Sequence, residues 1–302
     1  MRLIKGLIRR LIASAVNCRL RYFWISPKAA DFWEEQFKAW PAFFSSLDFK
    51  KTVELSTGAR MELGIVDTVE RTILTTGRWD DAVAVALRSF LHSGNTFVDI
   101  GANIGYFTLM ASKLVGSEGT VVACEPSIRA LRKLTRHLWL NNVNNVFLIS
   151  NAIGSIPSTD RISLATESNI GGSSIVRADK AVRNWEPISI RRLDDICAEM
   201  KIIPDVIKID IEGFEYHALV GAEQTLRTSH PIVICELTNQ FLEEFGSSAK
   251  CLIEYMEGLG YHCFVVSHHD SCATLQLCRP SDAPSVQSEV IFSVDRSISL
   301  LP

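Results

Sequence analysis

From about residue 51 the apolar residues gather into short runs separated by longer amphipathic stretches. Runs at 96–100, 120–124, 146–150, 205–211 and 231–237 are rich in Val and Ile and are bounded by turn residues. Continuous apolar runs of that length read as strands buried on both faces. The stretches at 104–115, 127–141, 214–228 and 248–259 space their apolar residues for helices. Strand alternating with helix predicts βαβ units and a mostly parallel sheet covered by helices on both faces. Residues 261–266, 273–278 and 289–294 read as closing strands. Upstream, Thr52–Ser56 and Arg60–Leu63 flank Thr57-Gly58 and predict a hairpin. Helices are expected at 67–76 and 80–92, split by Gly77-Arg78-Trp79. The stretch 155–187, with Gly171-Gly172-Ser173-Ser174, breaks the alternation and reads either as a flap over an acceptor site or as an edge hairpin.

The first fifty residues follow a different pattern. Residues 1–25 carry Arg2, Lys5, Arg9, Arg10, Arg19 and Arg21 and no acid. Leu3, Ile4, Leu7, Ile8, Leu11, Ile12, Ala15 and Val16 form an i, i+3, i+4 stripe. The charges interrupt each apolar run well short of the ~20 residues that span a bilayer, and Arg9-Arg10 break the continuous centre of a signal peptide. The functional reading is a basic helix lying on an anionic membrane surface; the plain one is a helix packed on the domain or a frayed terminus. Residues 22–49 are rich in aromatic rings, among them Trp24, Trp33 and Trp40, and also read as helical. The expected organisation is therefore a helical extension over 1–49 and a catalytic domain over 50–302.

Composition narrows the class. With 47% hydrophobic and 22% charged residues in 302, the chain is too apolar for disorder. A net charge of -3 gives no general attraction to nucleic acid, so none is expected as a partner. The eight cysteines form no CxxC pair, which argues against a zinc site. A reduced, cytoplasmic setting is expected, with a disulfide among Cys263, Cys272 and Cys278 left open.

On such sheets ligands sit beyond the carboxyl ends of the strands, so the residues that close each strand carry the chemistry. The first ends in Asp99-Ile100-Gly101-Ala102-Asn103-Ile104-Gly105. The glycines permit a tight turn and close approach of a ligand. A dinucleotide turn would read GxGxxG; here an acid precedes the turn, which disfavours a pyrophosphate and suits a cationic group such as that of S-adenosylmethionine. The second strand closes on Glu125, placed to accept hydrogen bonds from a ribose diol. The third ends near Asn151, which can pair with an adenine edge. The fourth reads Lys208-Ile209-Asp210-Ile211-Glu212, and period-2 alternation would send Asp210 and Glu212 to one side. Lys208 shares that side and could simply pair with them. Glu236 closes the fifth strand.

These residues resemble the FkbM-type class I methyltransferases. The matching segments are FVDIGANIGYFT (97–108), VVACEPS (121–127), NAIG (151–154), SISIRRLDD (188–195), VIKIDIEGFE (206–215), GAEQTL (221–226) and PIVICE (231–236). The resemblance covers about residues 50–295. It implies a Rossmann-like sheet of seven strands, the last antiparallel, and transfer of a methyl group from S-adenosylmethionine to oxygen. It also implies that Asp99, Gly101, Asn103 and Gly105 hold the methionine part of the cofactor and Glu125 its ribose. Asp210 and Glu212 would face the reacting centre. Where the family often shows Glu after the aromatic residue near Trp79, this chain has Asp80.

A hydroxyl needs a base as the new bond forms. The expected base is Asp210, with Glu212 positioning the acceptor, a small molecule or carbohydrate, or sharing its proton. No metal is expected, although Asp210, Glu212 and Glu236 could together hold a divalent ion. His217 reads as a helix-surface residue, and His268-His269 as part of a loop. Two other functions compete: a nicotinamide-dependent oxidoreductase, which lacks its glycine motif here, and a catalytically silent membrane-surface protein on the same fold.

Overall fold

The computed structural model describes residues 50–163, 175, 184–269 and 272–301. The basic and aromatic segments before residue 50, Gly171–Ser174 and Asp270 lie outside them. The described chain divides into two compact units, residues 50–79 and the residues from Asp80 onward.

In the first unit, β1 (Lys50–Glu54) and β2 (Arg60–Gly64) pair antiparallel with Glu54 opposite Arg60. This is the hairpin expected around Thr57-Gly58. Helix α1 (Thr68–Thr76) starts at Asp67, whose carboxylate accepts from the Glu70 amide at 2.9 Å, and stops at Gly77, φ +74°. Both caps are residue types that favour those positions.

The second unit runs α2 (Asp81–Phe90), β3 (Thr96–Ile100), α3 (Tyr106–Val115), β4 (Thr120–Cys124), α4 (Ile128–Leu140) and β5 (Val146–Ile149). Three strands follow: β6 (Ala152–Ile153), β7 (Ser158–Ser163) and β8 (Trp185–Arg191). The alternation then resumes with α5 (Leu193–Met200), β9 (Val206–Ile209), α6 (Glu215–Val220), α7 (Glu223–Ser229) and β10 (Ile232–Leu237). Helices α8 (Asn239–Glu244) and α9 (Ala249–Gly258) precede β11 (His262–His269), β12 (Cys272–Cys278) and β13 (Ser288–Ser293).

The main sheet has the order β12-β11-β13-β10-β9-β3-β4-β5. Its centre, from β10 to β5, is parallel, and β13 runs antiparallel to both β10 and β11. The expected seven strands are present, and β12 adds an eighth by folding back on β11. The central strands are buried on both faces: Val98, Val122, Ile207, Val233 and Phe292 are all within 1% of full burial. That explains their unbroken apolar runs. The chain leaves β3 toward β4 and β5 and leaves β9 toward β10, so the order reverses between β3 and β9 and opens a crevice above them.

Two local differences from the expected elements have physical causes. The helix expected over 214–228 is two helices, because the backbone bends at Gly221. A Cβ there would lie 2.1 Å from the Gly154 carbonyl oxygen, so two chain segments touch where only hydrogen fits. Asp194 then caps the second helix, accepting from the Gln224 and Thr225 amides at 3.1 and 2.9 Å, while Arg192 bonds Asp194 at 2.7 Å. The SISIRRLDD and GAEQTL segments thus meet to hold the fold. The irregular stretch after β5 supplies a second, three-stranded sheet, with β8 antiparallel to β7 and parallel to β6. The arms of an edge hairpin are therefore real.

Cys263 and Cys278 face each other across β11 and β12 as free thiols. His268 and His269 have strand backbone rather than loop. No helix among the described residues is long and apolar enough to cross a membrane.

Candidate active site at the carboxyl ends of the central strands

The crevice is built on a buried line of charge. Asp99, the fourth residue of β3, has no exposed surface and stands opposite Lys208 in the register with β9. Its Oδ2 accepts from Thr108 Oγ1 at 2.6 Å, and its Oδ1 lies 3.7 Å from Lys208 Nζ. Lys208 Nζ also donates to Asp210 Oδ2 at 3.2 Å and to the Gly101 carbonyl at 3.4 Å, and sits 5.5 Å from the Phe107 ring centroid. Burial works against the Lys208 ammonium, but the Asp210 and Asp99 carboxylates outweigh it and hold its proton more tightly than usual. Burial pushes the Asp99 carboxyl up in spite of Lys208 and Thr108. Asp210 ends the line with its side chain 34% exposed.

The glycine turn locks onto this line. Gly101 has φ +79°, and a Cβ on it would lie 2.0 Å from the Asp210 carbonyl oxygen, so the β3 and β9 loops approach too closely for any side chain. Gly105, φ +90°, begins α3 over Leu134. Asn103 takes the left-handed conformation at φ +49°, which Asn tolerates better than most residues. Its side-chain oxygen is buried without a hydrogen-bond partner.

Glu125 ties the turn to the next loop: Oε2 accepts from the Asn103 amide and Oε1 from the Ser127 amide, both at 2.8 Å. Burial raises its pKa to about 7, although both hydrogen bonds oppose the shift. Asn151 donates from Nδ2 to the Ser189 carbonyl at 3.3 Å.

Glu212 reaches the site by another route than expected. Strand β9 ends at Ile209, so alternation does not carry to residue 212. A turn with Glu212 at φ +55° and Gly213 at φ +104° sets its position. Glu215 shapes that turn, its Oε1 accepting from the Ile211 and Gly213 amides at 3.1 and 3.0 Å. Burial, then the charges of Asp210, Glu236 and Glu215, raise Glu212 to about 8. Glu236 is raised to about 7 by burial and Asp210. It stands opposite Glu289 in the β10–β13 register, and Glu289 is pushed well up by burial and by Asp80 and Glu236. Asp80 caps α2, accepting from the Ala82 and Val83 amides at 3.1 and 3.2 Å, and feels the charges of Asp210 and Lys208. The shorter acid therefore does belong to this neighbourhood. Glu215 and Glu289 had no role in the sequence reading. An acid inside the apolar strand Glu289-Val290-Ile291-Phe292 was the available signal.

No group of three or more His, Cys, Asp or Glu among the described residues is arranged to hold a metal ion. His217 is stacked on Phe214 with ring centroids 4.4 Å apart and contacts the Phe245 carbonyl at 3.2 Å, so it packs between segments.

The raised carboxyls give a stability prediction. Glu125, Glu212, Glu215 and Glu236 start from an ordinary value of 4.5 and reach about 7 or 8 when folded. Between those values the folded chain binds more protons than the unfolded one. Their contribution is fully present below 4.5 and is lost as pH rises through 7 to 8. Urea unfolding across that window should show Glu212→Gln losing less stability than the unsubstituted chain as pH rises. An equal slope would refute it.

The model of the methyltransferase FkbM domain matches residues 99–263, which take in the glycine turn, Glu125, Asp210 and Glu236. The chain belongs to the FkbM methyltransferase family. It is similar to the methyltransferase FkbM from Methylobacillus flagellatus KT, at 19% identity over 74% of this chain and 52% of that one, TM-score 0.43. The chain thus spans about half the length of that protein. Two further similar structures are an rRNA methylase from Streptococcus thermophilus (11% identity, 72% and 96% coverage, TM-score 0.42) and M. jannaschii TYW2 in complex with AdoMet (16%, 81% and 84%, TM-score 0.41). No curated protein matches the chain. The family match leaves the kind of acceptor open.

The matched domain is a methyltransferase domain, and the cofactor expected from the sequence is S-adenosylmethionine. Its residues fit that cofactor. Around the turn stand carboxylates and the unsatisfied Asn103 oxygen, groups that receive a cationic amino acid and hydroxyls. The buried cation, Lys208, is already engaged by Asp99, Asp210 and the Gly101 carbonyl.

Proposed function

We propose that the protein transfers the methyl group of S-adenosylmethionine to a hydroxyl oxygen of a small-molecule or sugar acceptor, with Asp210 as the general base. The observation that carries this reading is the exposure of Asp210 at the open end of an otherwise buried Asp99–Lys208–Asp210 line. Lys208 holds the Asp210 carboxylate in one place while its outer face stays open to a ligand.

The cofactor, when bound, supplies a methyl group on a positively charged sulfur, a leaving group that needs no further activation. The protein's task is alignment and proton removal. Asn103 and the backbone of Gly101 and Gly105 would hold the methionine part, with Asp99 acting from beneath through Lys208. Glu125 has both oxygens engaged by amides, but each keeps a lone pair for a ribose hydroxyl. The Asn151 carbonyl would accept from the adenine amino group. Asp210 takes the hydroxyl proton as the carbon–oxygen bond forms and the carbon–sulfur bond breaks. Glu212, raised to about 8, carries a proton at neutral pH and can donate a hydrogen bond to the acceptor.

The test is transfer of a labelled methyl group to a panel of sugars, small alcohols, amines and RNA oligonucleotides. The expected product is an ether on an alcohol. Transfer confined to amines or to RNA bases would overturn the reading.

A further inference from the structure

Helix α4 has one buried face, formed by Ala130, Leu134, His137 and Leu138. Its other face is unusual. Ile128, Arg132, Arg136 and Trp139 follow one another at i, i+4, i+8 and i+11, which places them in one stripe. Ile128 is 50% exposed and Trp139 66%. Arg132 and Arg136 between them are exposed, with Arg129 and Lys133 alongside. The Arg136 guanidinium lies 4.7 Å from the centroid of the Trp139 ring. From Pro126 to Thr159 the sequence holds these four cations and no acid, in a chain of net charge -3, and one acid from elsewhere, Glu186, meets the start of the helix, its Oε1 accepting from the Ile128 amide at 3.0 Å.

We propose that this face of α4 docks on an anionic phospholipid membrane. An exposed Ile and Trp, with cations between them, is the composition of a helix that lies in a membrane interface. The indole suits the headgroup level, and each Arg or Lys near an anionic leaflet adds attraction. Charge complementarity selects an anionic partner, and the apolar ends select lipid over RNA. An RNA strand needs successive rings on which to stack; the stripe offers one, with Arg136 beside it, and Ile128 gives a base nothing.

The experiment is flotation of the full chain with phosphatidylcholine vesicles, with and without phosphatidylserine. The chain should float only with phosphatidylserine present. Replacing Arg132→Gln and Arg136→Gln together should weaken that binding about thirtyfold, and Trp139→Ser should weaken it as well. Both variants should melt and bind S-adenosylhomocysteine as the unsubstituted chain does. Three results would overturn the proposal: no flotation with phosphatidylserine, variants that float unchanged, or retention by single-stranded RNA in a gel shift without flotation.

Discussion

Replacing Lys208→Met should destabilise the protein by about 3–5 kcal/mol, the cost of breaking a buried ion pair by removing one partner. Lys208 is 3% exposed and Asp99 has no exposed surface, so water cannot replace the lost ammonium. Asp99 would keep the Thr108 hydroxyl at 2.6 Å, which satisfies one of its oxygens and leaves the other without a partner. The methionine fills similar volume, so packing is not the main loss. Adding Asp99→Asn to Lys208→Met removes the orphaned charge and should recover much of the stability. Urea unfolding of the single and double variants gives the answer. A loss below about 1 kcal/mol in the single variant would mean that the pair is not buried in a way that matters.

The same burial explains what the sequence made visible. Strands β3 and β4 were expected at 96–100 and 120–124 and lie there, because strands covered on both faces must be apolar throughout. Strand β8 was missed. Its exposed and buried positions alternate, it carries Glu186 and Pro187, and it pairs with residues 152–153 and 158–163 far away in the chain. Nothing local marks such a partner.

The site divides in the same manner. The positions of Asp99, Gly101, Asn103, Gly105, Glu125, Asn151 and Asp210, as distinct from their roles, were legible because each lies at or just after the end of a readable strand. Glu212 was assigned to the right neighbourhood for the wrong reason: a left-handed turn held by Glu215 places it, not strand alternation. Glu289 gains its importance from standing opposite Glu236, a matter of register between strands more than fifty residues apart. The depth of Asp99 was likewise invisible. The acid that suggested a cationic ligand lies beneath the crevice floor and reaches the surface through Lys208 and Asp210.

The largest effect on catalysis is expected at Asp210. Asn at this position keeps the shape and an oxygen that can still accept from Lys208 Nζ, now 3.2 Å from Oδ2. It cannot take a proton from a hydroxyl. General-base removal typically costs about a hundredfold to ten-thousandfold in turnover. In the proposed role Asp210 meets the acceptor and not the cofactor, so cofactor affinity should change little. The decisive measurement is turnover of Asp210→Asn beside its affinity for S-adenosylhomocysteine by calorimetry. Affinity close to that of the unsubstituted chain, with turnover down at least about a hundredfold, is the result expected. Turnover within about tenfold of the unsubstituted chain would show that another group removes the proton.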